Sequence, residues 1–85
     1  MWELLSFIQG KNRRLCLEEI SEGPKTPGMV AKSHGKHLSH ISRALRELEE
    51  KGLAECKNPD ANKNRFYEIT DKGKELHDRL QEIEG

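Results

Sequence analysis

The sequence has no excess of either charge, since 15 Asp and Glu match its 15 Lys and Arg. Net charge by itself therefore gives no support for a nucleic-acid partner. Only 33% of the 85 residues are hydrophobic, which leaves little apolar material for a roomy catalytic pocket and favours a small binding module over an enzyme. A chain of this length predicts a single domain, 1–85, near the lower size limit for one apolar core.

Membrane and secretory features are also missing. The apolar runs are far too short to span a bilayer, and the N-terminus does not have the pattern of a signal peptide. Without a signal peptide, the two cysteines, Cys16 and Cys56, indicate a reducing compartment. We therefore expect a cytoplasmic protein with no membrane partner.

Motifs for catalysis and for metal binding are absent as well. The chain has no GxSxG, HExxH, P-loop or dinucleotide motif, so we expect no catalytic residues and no cofactor. His34, His37 and His40 are spaced by three, but a turn predicted between two helices takes them off a common face. Cys16 falls at a core position and Cys56 on a predicted strand, as an edge thiol, and neither belongs to a CxC or CxxC pair. We therefore expect no metal site.

One segment departs from the charge balance. Residues 24–46 contain three His and five Lys or Arg but no Asp or Glu, whereas all 15 acids share the rest of the chain with the ten other cations. A surface built from this segment should be basic, and it can attract a phosphate backbone even though the whole chain is neutral. The five cations are Lys25, Lys32, Lys36, Arg43 and Arg46.

Apolar spacing and capping residues predict three helices in the first half of the chain. An apolar segment runs from the N-terminus to Gly10, and an amphipathic helix follows, which Gly23 and Pro24 end. Thr26 and Pro27 then predict the N-cap and first residue of a short helix that stops near residue 35. The face of the amphipathic helix consists of Arg13, Cys16, Leu17 and Ile20, at the spacing i, i+3, i+4, i+7.

A longer helix is predicted over about 38–51. Leu38, Ile41, Leu45 and Leu48 recur on one side of it, so this side should be buried, and Gly52 ends the pattern. The other side should face outward. It carries Ser39, His40, Ser42, Arg43 and Arg46.

The rest of the chain predicts a hairpin over about 53–69 and a last helix over about 71–84. The segments LAECK and RFYEI have the composition of strands, and the turn-rich segment NPDANKN separates them. Thr70 and Asp71 begin the last helix, whose apolar stripe consists of Leu76, Leu80 and Ile83.

In this order, the elements resemble the compact archaeal and bacterial winged helix-turn-helix transcription regulators of the ArsR-like and MarR-like kind. The resemblance covers residues 11–79 and is carried by the segments TPGMVAKSHG, LSHISRALRELEEKGLAE and RFYEITDKGKEL. It implies a mainly α fold with a small β-hairpin as the wing. It also implies a sequence-specific regulator that binds double-stranded DNA with the helix at 38–51.

The site residues follow from how a helix about ten ångströms across fits the major groove. The N-terminal part of such a helix reaches the bases, so we predict base contacts from Ser39, His40, Ser42 and Arg43 and a phosphate contact from Arg46. Contacts to the backbone or minor groove are predicted at the wing and at the short helix, from Asn62, Lys63, Arg65, Lys25, Thr26 and Lys36. The simpler alternative is that these are solvated helix, turn and capping residues.

Two further questions stay open at the level of sequence. A winged helix can also contact protein or RNA within a larger complex, although such versions place large apolar or acidic residues on the outer face of residues 39–46. Apolar residues outside the central motif can pack within a monomer or across a two-fold dimer, and the resemblance favours a homodimer. These residues are Trp2, Leu5, Ile8, Leu76, Leu80 and Ile83.

Overall fold

A computed structural model describes residues 2–84, except for the side chains of Trp2 and Glu84. It confirms a mainly α chain with one small hairpin. The elements are α1 (Trp2–Ile8), α2 (Lys11–Ser21), α3 (Pro27–His34), α4 (Leu38–Glu50), β1 (Ala54–Cys56), β2 (Tyr67–Ile69) and α5 (Asp71–Glu84).

The turn between α3 and α4 is fixed by capping residues at both ends of α3. The Thr26 hydroxyl accepts a hydrogen bond from the Met29 backbone N–H at 3.1 Å, and Pro27 occupies the first helical turn. Gly35 ends the helix in the left-handed conformation, with a φ of 61°, which a residue without a Cβ adopts at no steric cost. The predicted limits of this helix are therefore confirmed.

The inner side of α4 lies in the centre of the core. Ile41, Leu45 and Leu48 are buried, and Ala44 completes this side against α2. Leu38, which was predicted to share the buried side, is instead 56% exposed. The reason is its position at the first residue of the helix, since side chains tilt toward the N-terminus and this one extends past the edge of the core.

The two strands of the hairpin are shorter than the predicted segments, and a further segment of the chain pairs with β2. β1 and β2 pair antiparallel through the pairs Ala54↔Ile69, Glu55↔Glu68 and Cys56↔Tyr67. On the other side of β2, the backbones of Lys25 and Tyr67 exchange two hydrogen bonds of 3.0 and 2.9 Å. The segment before α3 is thereby joined to the hairpin. Cys56, predicted to be an edge thiol, is buried because its side chain faces the core.

The first turn of α5 lies directly on the hairpin. The Thr70 hydroxyl accepts from the Gly73 N–H at 3.1 Å and donates to the Gly52 carbonyl at 2.6 Å, so it caps α5 and ties it to the end of α4. A Cβ at Gly73 would overlap the Leu53 carbonyl oxygen and come within 2.7 Å of Ile69 Cγ1. Glycine at this position is therefore explained by the close approach of the helix to the strands.

The apolar terminal residues divide into three groups. Ile8 and Leu76 are fully buried within the chain, so they offer no surface to a partner. Leu5 and Leu80 are half-buried against the core, and Ile83 is 69% exposed. The side chain of Trp2 lies outside the described residues. Among residues 2–84, none of the helices combines the length and apolar character that a membrane crossing requires.

Candidate nucleic-acid interface

A groove of about 550 Å³ separates the start of α3, the outer side of α4 and the loop of the hairpin. None of the described residues that line it is acidic, and three of them, Arg46, Lys63 and Arg65, are cationic. Six of the predicted site residues meet here, namely these three together with Thr26, Ser42 and Asn62. The complete lining is Thr26, Pro27, Gly28, Leu38, Ser42, Arg46, Asn62, Lys63, Asn64, Arg65 and Tyr67. Its charge suits an anionic partner.

Asn58 holds the hairpin loop in shape. Its side-chain amide donates to the Asn64 carbonyl at 3.1 Å, and its carbonyl oxygen accepts from the Phe66 N–H at 2.7 Å. Asn64 adopts a left-handed conformation with a φ of 54°, which asparagine tolerates better than most residues. This clamp leaves Asn62 and Lys63 exposed at the tip. Sequence reasoning missed Asn58, although an asparagine before a proline is a known turn signal.

Arg65 is fixed more firmly than a free surface cation. Its Nη2 donates to the Pro59 carbonyl at 3.0 Å, and its Nε is buried without a hydrogen-bond partner among the described residues. The guanidinium therefore lies against the loop while still lining the groove. Tyr67 lies in the same wall, where burial, with the charge of Glu49 as a second cause, raises the pKa of its phenol.

The outer side of α4 presents the predicted base-contacting residues in a row. Ser39, Arg43 and Arg46 line one shallow surface together with Glu47 and Glu50, whereas Ser42 is turned toward the groove. His40 faces the opposite flank, beside the start of α2. The structure thus places all five predicted residues of this helix on its outward side, and the base-contact prediction remains compatible with their positions.

An acidic residue on the same side of α4 has its charge paired by Arg13. Arg13 Nη2 lies 2.8 Å from Glu47 Oε2, and its Nε donates to Oε1 at 3.4 Å. The same guanidinium donates to the Phe7 carbonyl at 3.0 Å and stacks 4.3 Å above the Phe7 ring. The hydrogen bond from Arg13 lowers the pKa of Glu47, with the charges of Arg13 and Arg43 adding to the effect. The carboxylate is therefore ionised and neutralised by its partner.

The predicted residues around α3 are not all free to bind. Lys25 Nζ lies 3.9 Å from Glu19 Oε1, so this ammonium group faces an acid and does not line the groove. The hydroxyl of Thr26 is buried and is used to cap α3. Lys36 is exposed in the turn before α4, as a phosphate contact would require.

The cysteines and histidines do not converge. Within residues 2–84, no three His, Cys, Asp or Glu side chains are arranged to hold a metal ion. Burial raises the pKa of the Cys16 thiol to about 12, with the charge of Glu19 as the second cause. His34 Nε2 lies 3.4 Å from Glu19 Oε2, whereas the rings of His37 and His40 meet edge to face at 5.5 Å.

Solved structures that are similar to this chain include two transcriptional regulators. The transcriptional regulator Tm0710 from Thermotoga maritima matches 93% of the chain with a TM-score of 0.74 and 29% identity. The transcriptional regulator BldR from Sulfolobus solfataricus matches 79% of it with a TM-score of 0.67 and 28% identity. The fold is a winged helix-turn-helix. Its helix-turn-helix motif is α3 and α4, where α4 is the helix predicted to be the recognition helix, and its wing is the hairpin of β1 and β2.

The predicted resemblance to winged helix-turn-helix transcription regulators is confirmed, whereas its archaeal qualifier stays a prediction. Both similar structures are regulators rather than enzymes, in agreement with the expected class. This winged helix spans 56% of the length of the first regulator and 49% of the second. A scan of protein-family models finds no match, and a search of curated proteins finds none.

Proposed function

We propose that this winged helix is a transcription regulator that binds double-stranded DNA. The recognition helix enters the major groove, and the wing contacts the neighbouring backbone or minor groove. The acid-free groove between α4 and the wing carries the proposal, because it sets Arg46, Lys63 and Arg65 around one cleft. The likeness to two transcription regulators supports the same conclusion.

Some exposed residues of α4 contact bases, and another contacts phosphate. Ser39, His40, Ser42 and Arg43 occupy the N-terminal part of the recognition helix, which reaches base edges in helix-turn-helix docking. An arginine there can donate two hydrogen bonds to guanine O6 and N7. Arg46 lies one turn further on and binds phosphate. Its counterparts outside this helix are Lys36 in the turn and Asn62, Lys63 and Arg65 in the wing.

Pairing of Arg13 with Glu47 supports an anionic partner as well. An unpaired carboxylate on the outer side of α4 would repel phosphate, and it would also draw Arg43 away from DNA. Arg13 binds Glu47 through two nitrogen atoms, so this carboxylate is already paired, although the charge of Arg43 also acts on it. The predicted contact by Lys25 is the weakest of the set, because Glu19 competes for its ammonium group.

A homodimer is the assembly that we propose. Leu5 on α1 and Leu80 on α5 are only half-buried and Ile83 is exposed, so a two-fold pair of chains can cover these residues. Such a pair presents two recognition helices to two half-sites of a palindromic duplex. We also propose a cytoplasmic location, the compartment expected from the sequence.

The proposal is tested by the salt dependence of binding. The probe is a duplex that the wild-type chain selects from a random-sequence library, and its affinity is measured across a series of salt concentrations. Each phosphate contact should contribute a slope of about −0.9 in log affinity against log salt, so a dimer should give roughly −5 to −9. A slope near zero, or equal affinity for duplex RNA, would contradict DNA binding and would favour the protein- or RNA-contact alternative.

Three alanine variants distinguish a base contact from a phosphate contact. Arg43→Ala should cost about 1–3 kcal/mol on the selected duplex and should relax the preference at one base position. Lys63→Ala should weaken selected and random duplexes equally and lower the salt slope by about one. Lys74→Ala, an exposed cation on α5 outside the groove lining, serves as the control and should change neither quantity. Equal losses on both duplexes for Arg43→Ala would mean that Arg43 contacts phosphate.

A further inference from the structure

Leu38 is the one large apolar side chain of the recognition helix that the described structure leaves exposed, at 56%. Ile41, Leu45 and Leu48 follow it along the same side of the helix and are all buried. Leu38 lies in the wall of the acid-free groove, where Pro27 and Gly28 of α3 are its neighbours in the lining. An exposed apolar side chain therefore lies in the same groove as three cations.

An exposed leucine is ordinary by itself, and its position gives it meaning here. Leu38 is the first residue of α4, and helical side chains tilt toward the N-terminus of their helix. It therefore projects from the end of the recognition helix that reaches base edges in helix-turn-helix docking. Its near neighbours in the groove, Ser42 and Arg46, supply hydrogen-bond donors, whereas Leu38 supplies none.

Only one base offers a leucine a matching surface in the major groove. Thymine presents its 5-methyl group there beside its O4 acceptor, whereas guanine, adenine and cytosine present hydrogen-bonding groups and no methyl group. Covering those groups with a leucine removes their water without providing a partner, which disfavours such bases. The charge of the surroundings suits an anionic partner such as DNA, since the described lining holds three cations and no acid.

We propose that Leu38 is a specificity-determining residue that packs against the 5-methyl group of a thymine. This inference rests on the proposed binding of duplex DNA and adds one base to the preferred half-site. It predicts that the preference for this thymine comes from its methyl group and not from hydrogen bonds.

Replacement of thymine by deoxyuridine tests the inference, because it removes the methyl group and keeps every hydrogen-bonding atom. The probe is again the duplex that the wild-type chain selects from a random library, with each thymine replaced in turn. At one position of each half-site, the replacement should weaken binding about fourfold. This factor corresponds to the free energy gained by burying one CH₂ group. Selected duplexes without a recurring thymine would overturn the inference.

Two variants show whether Leu38 is the residue responsible. Leu38→Ala should bind the thymine and deoxyuridine duplexes equally well while keeping the wild-type salt slope. Met29→Ala removes another exposed apolar side chain, 44% exposed on the neighbouring helix and outside the groove lining, and should keep the full methyl effect. Loss of the methyl effect in Leu38→Ala alone supports the inference.

The inference and the proposed function fail in different ways. If the salt slope is steep but the wild type shows no methyl effect, the role of Leu38 is overturned and DNA binding stands. The same holds if Leu38→Ala shows the same methyl effect as the wild type. A salt slope near zero overturns both. Leu38→Ala should fold normally, because the replaced side chain is exposed and alanine favours helix, and circular dichroism verifies this.

Discussion

The recognition helix α4 and the last helix α5 are similar in length and both amphipathic, yet the chain covers them differently. The inner side of α4 is buried along its length, from Ile41 to Leu48. Along α5, exposure increases with distance from the wing, because Leu76 is buried, Leu80 is half-buried and Ile83 is 69% exposed.

This difference follows from what each helix packs against. α4 lies between α2, α3 and β1, so neighbours cover its inner side on several flanks. α5 packs against α2 and β2 and is closest to the hairpin at Gly73, in its first turn. A straight helix of 14 residues is about 21 Å long, so its far end passes the edge of a small core. The chain itself thus fixes the position of α4, whereas the end of α5 keeps apolar surface exposed.

Truncation of buried leucines should give the largest effects. Leu45→Ala in α4 and Leu76→Ala in α5 should each lower the free energy of unfolding by about 2–5 kcal/mol, because both leave a cavity in the core. Ile83→Ala should change it by less than about 0.5 kcal/mol, as expected for a surface position. Urea denaturation at low protein concentration measures all three. A loss for Ile83→Ala as large as that for Leu76→Ala would contradict the difference between the two ends of α5.

The pair that anchors α4 to α2 should have a smaller effect, which depends on pH. Arg13→Ala should lower the free energy of unfolding by about 1 kcal/mol at neutral pH, since it removes a partly exposed ion pair. Because the folded-state pKa of Glu47 is lowered, this stabilisation is present above the ordinary glutamate pKa and is lost as the pH falls through the lowered value. Denaturation midpoints between neutral and acidic pH measure the effect.

Glu47→Gln is the matched control for the pair, because it keeps the shape of the side chain and removes its charge. It should lose the same acid-dependent stabilisation as Arg13→Ala, and the double variant should lose little more. If all three proteins kept the wild-type dependence on acid pH, the pair would not stabilise the position of α4.

A charge at the free end of α5 should have the smallest effect on the fold and should test the dimer. Ile83→Glu should leave the stability of a monomer nearly unchanged, because the side chain is exposed in the single chain. In a dimer that covers Ile83, the same change should weaken the assembly and reduce binding to a duplex with two half-sites more than to one with a single half-site. Sedimentation at micromolar concentration and DNA titration measure the two effects. A wild-type protein that sediments as a monomer would contradict the proposed homodimer.

The features that depend on short stretches of sequence were predicted correctly. Thr26, Pro27 and Gly35 set the limits of α3 through their own backbone and side-chain chemistry, and Thr70 does the same for α5. The spacing of Ile41, Leu45 and Leu48 along the chain identified the buried side of α4. These residues act on neighbours within one or two turns, so their effect can be recognised without knowing where other elements lie.

The composition of the candidate site was also visible in the sequence, but its shape was not. The absence of acids from residues 24–46 indicated a basic surface, and six of the predicted residues line one groove. The groove itself is formed by α3, α4 and the wing, which are distant in sequence. Lys25 was predicted to bind phosphate, and only the packing of α2 beside it brings Glu19 to its ammonium group.

Sequence alone thus determined the order of the elements, their caps and the absence of acids from residues 24–46, because each depends on local spacing and composition. Tertiary structure alone decided that Arg13 pairs with Glu47, that Leu38 extends beyond the core, and that Ile8 and Leu76 are buried within the chain. Each of these outcomes depends on the distance between side chains of different elements. That distance is set by the packing of the whole core, and a pattern within one segment does not contain it.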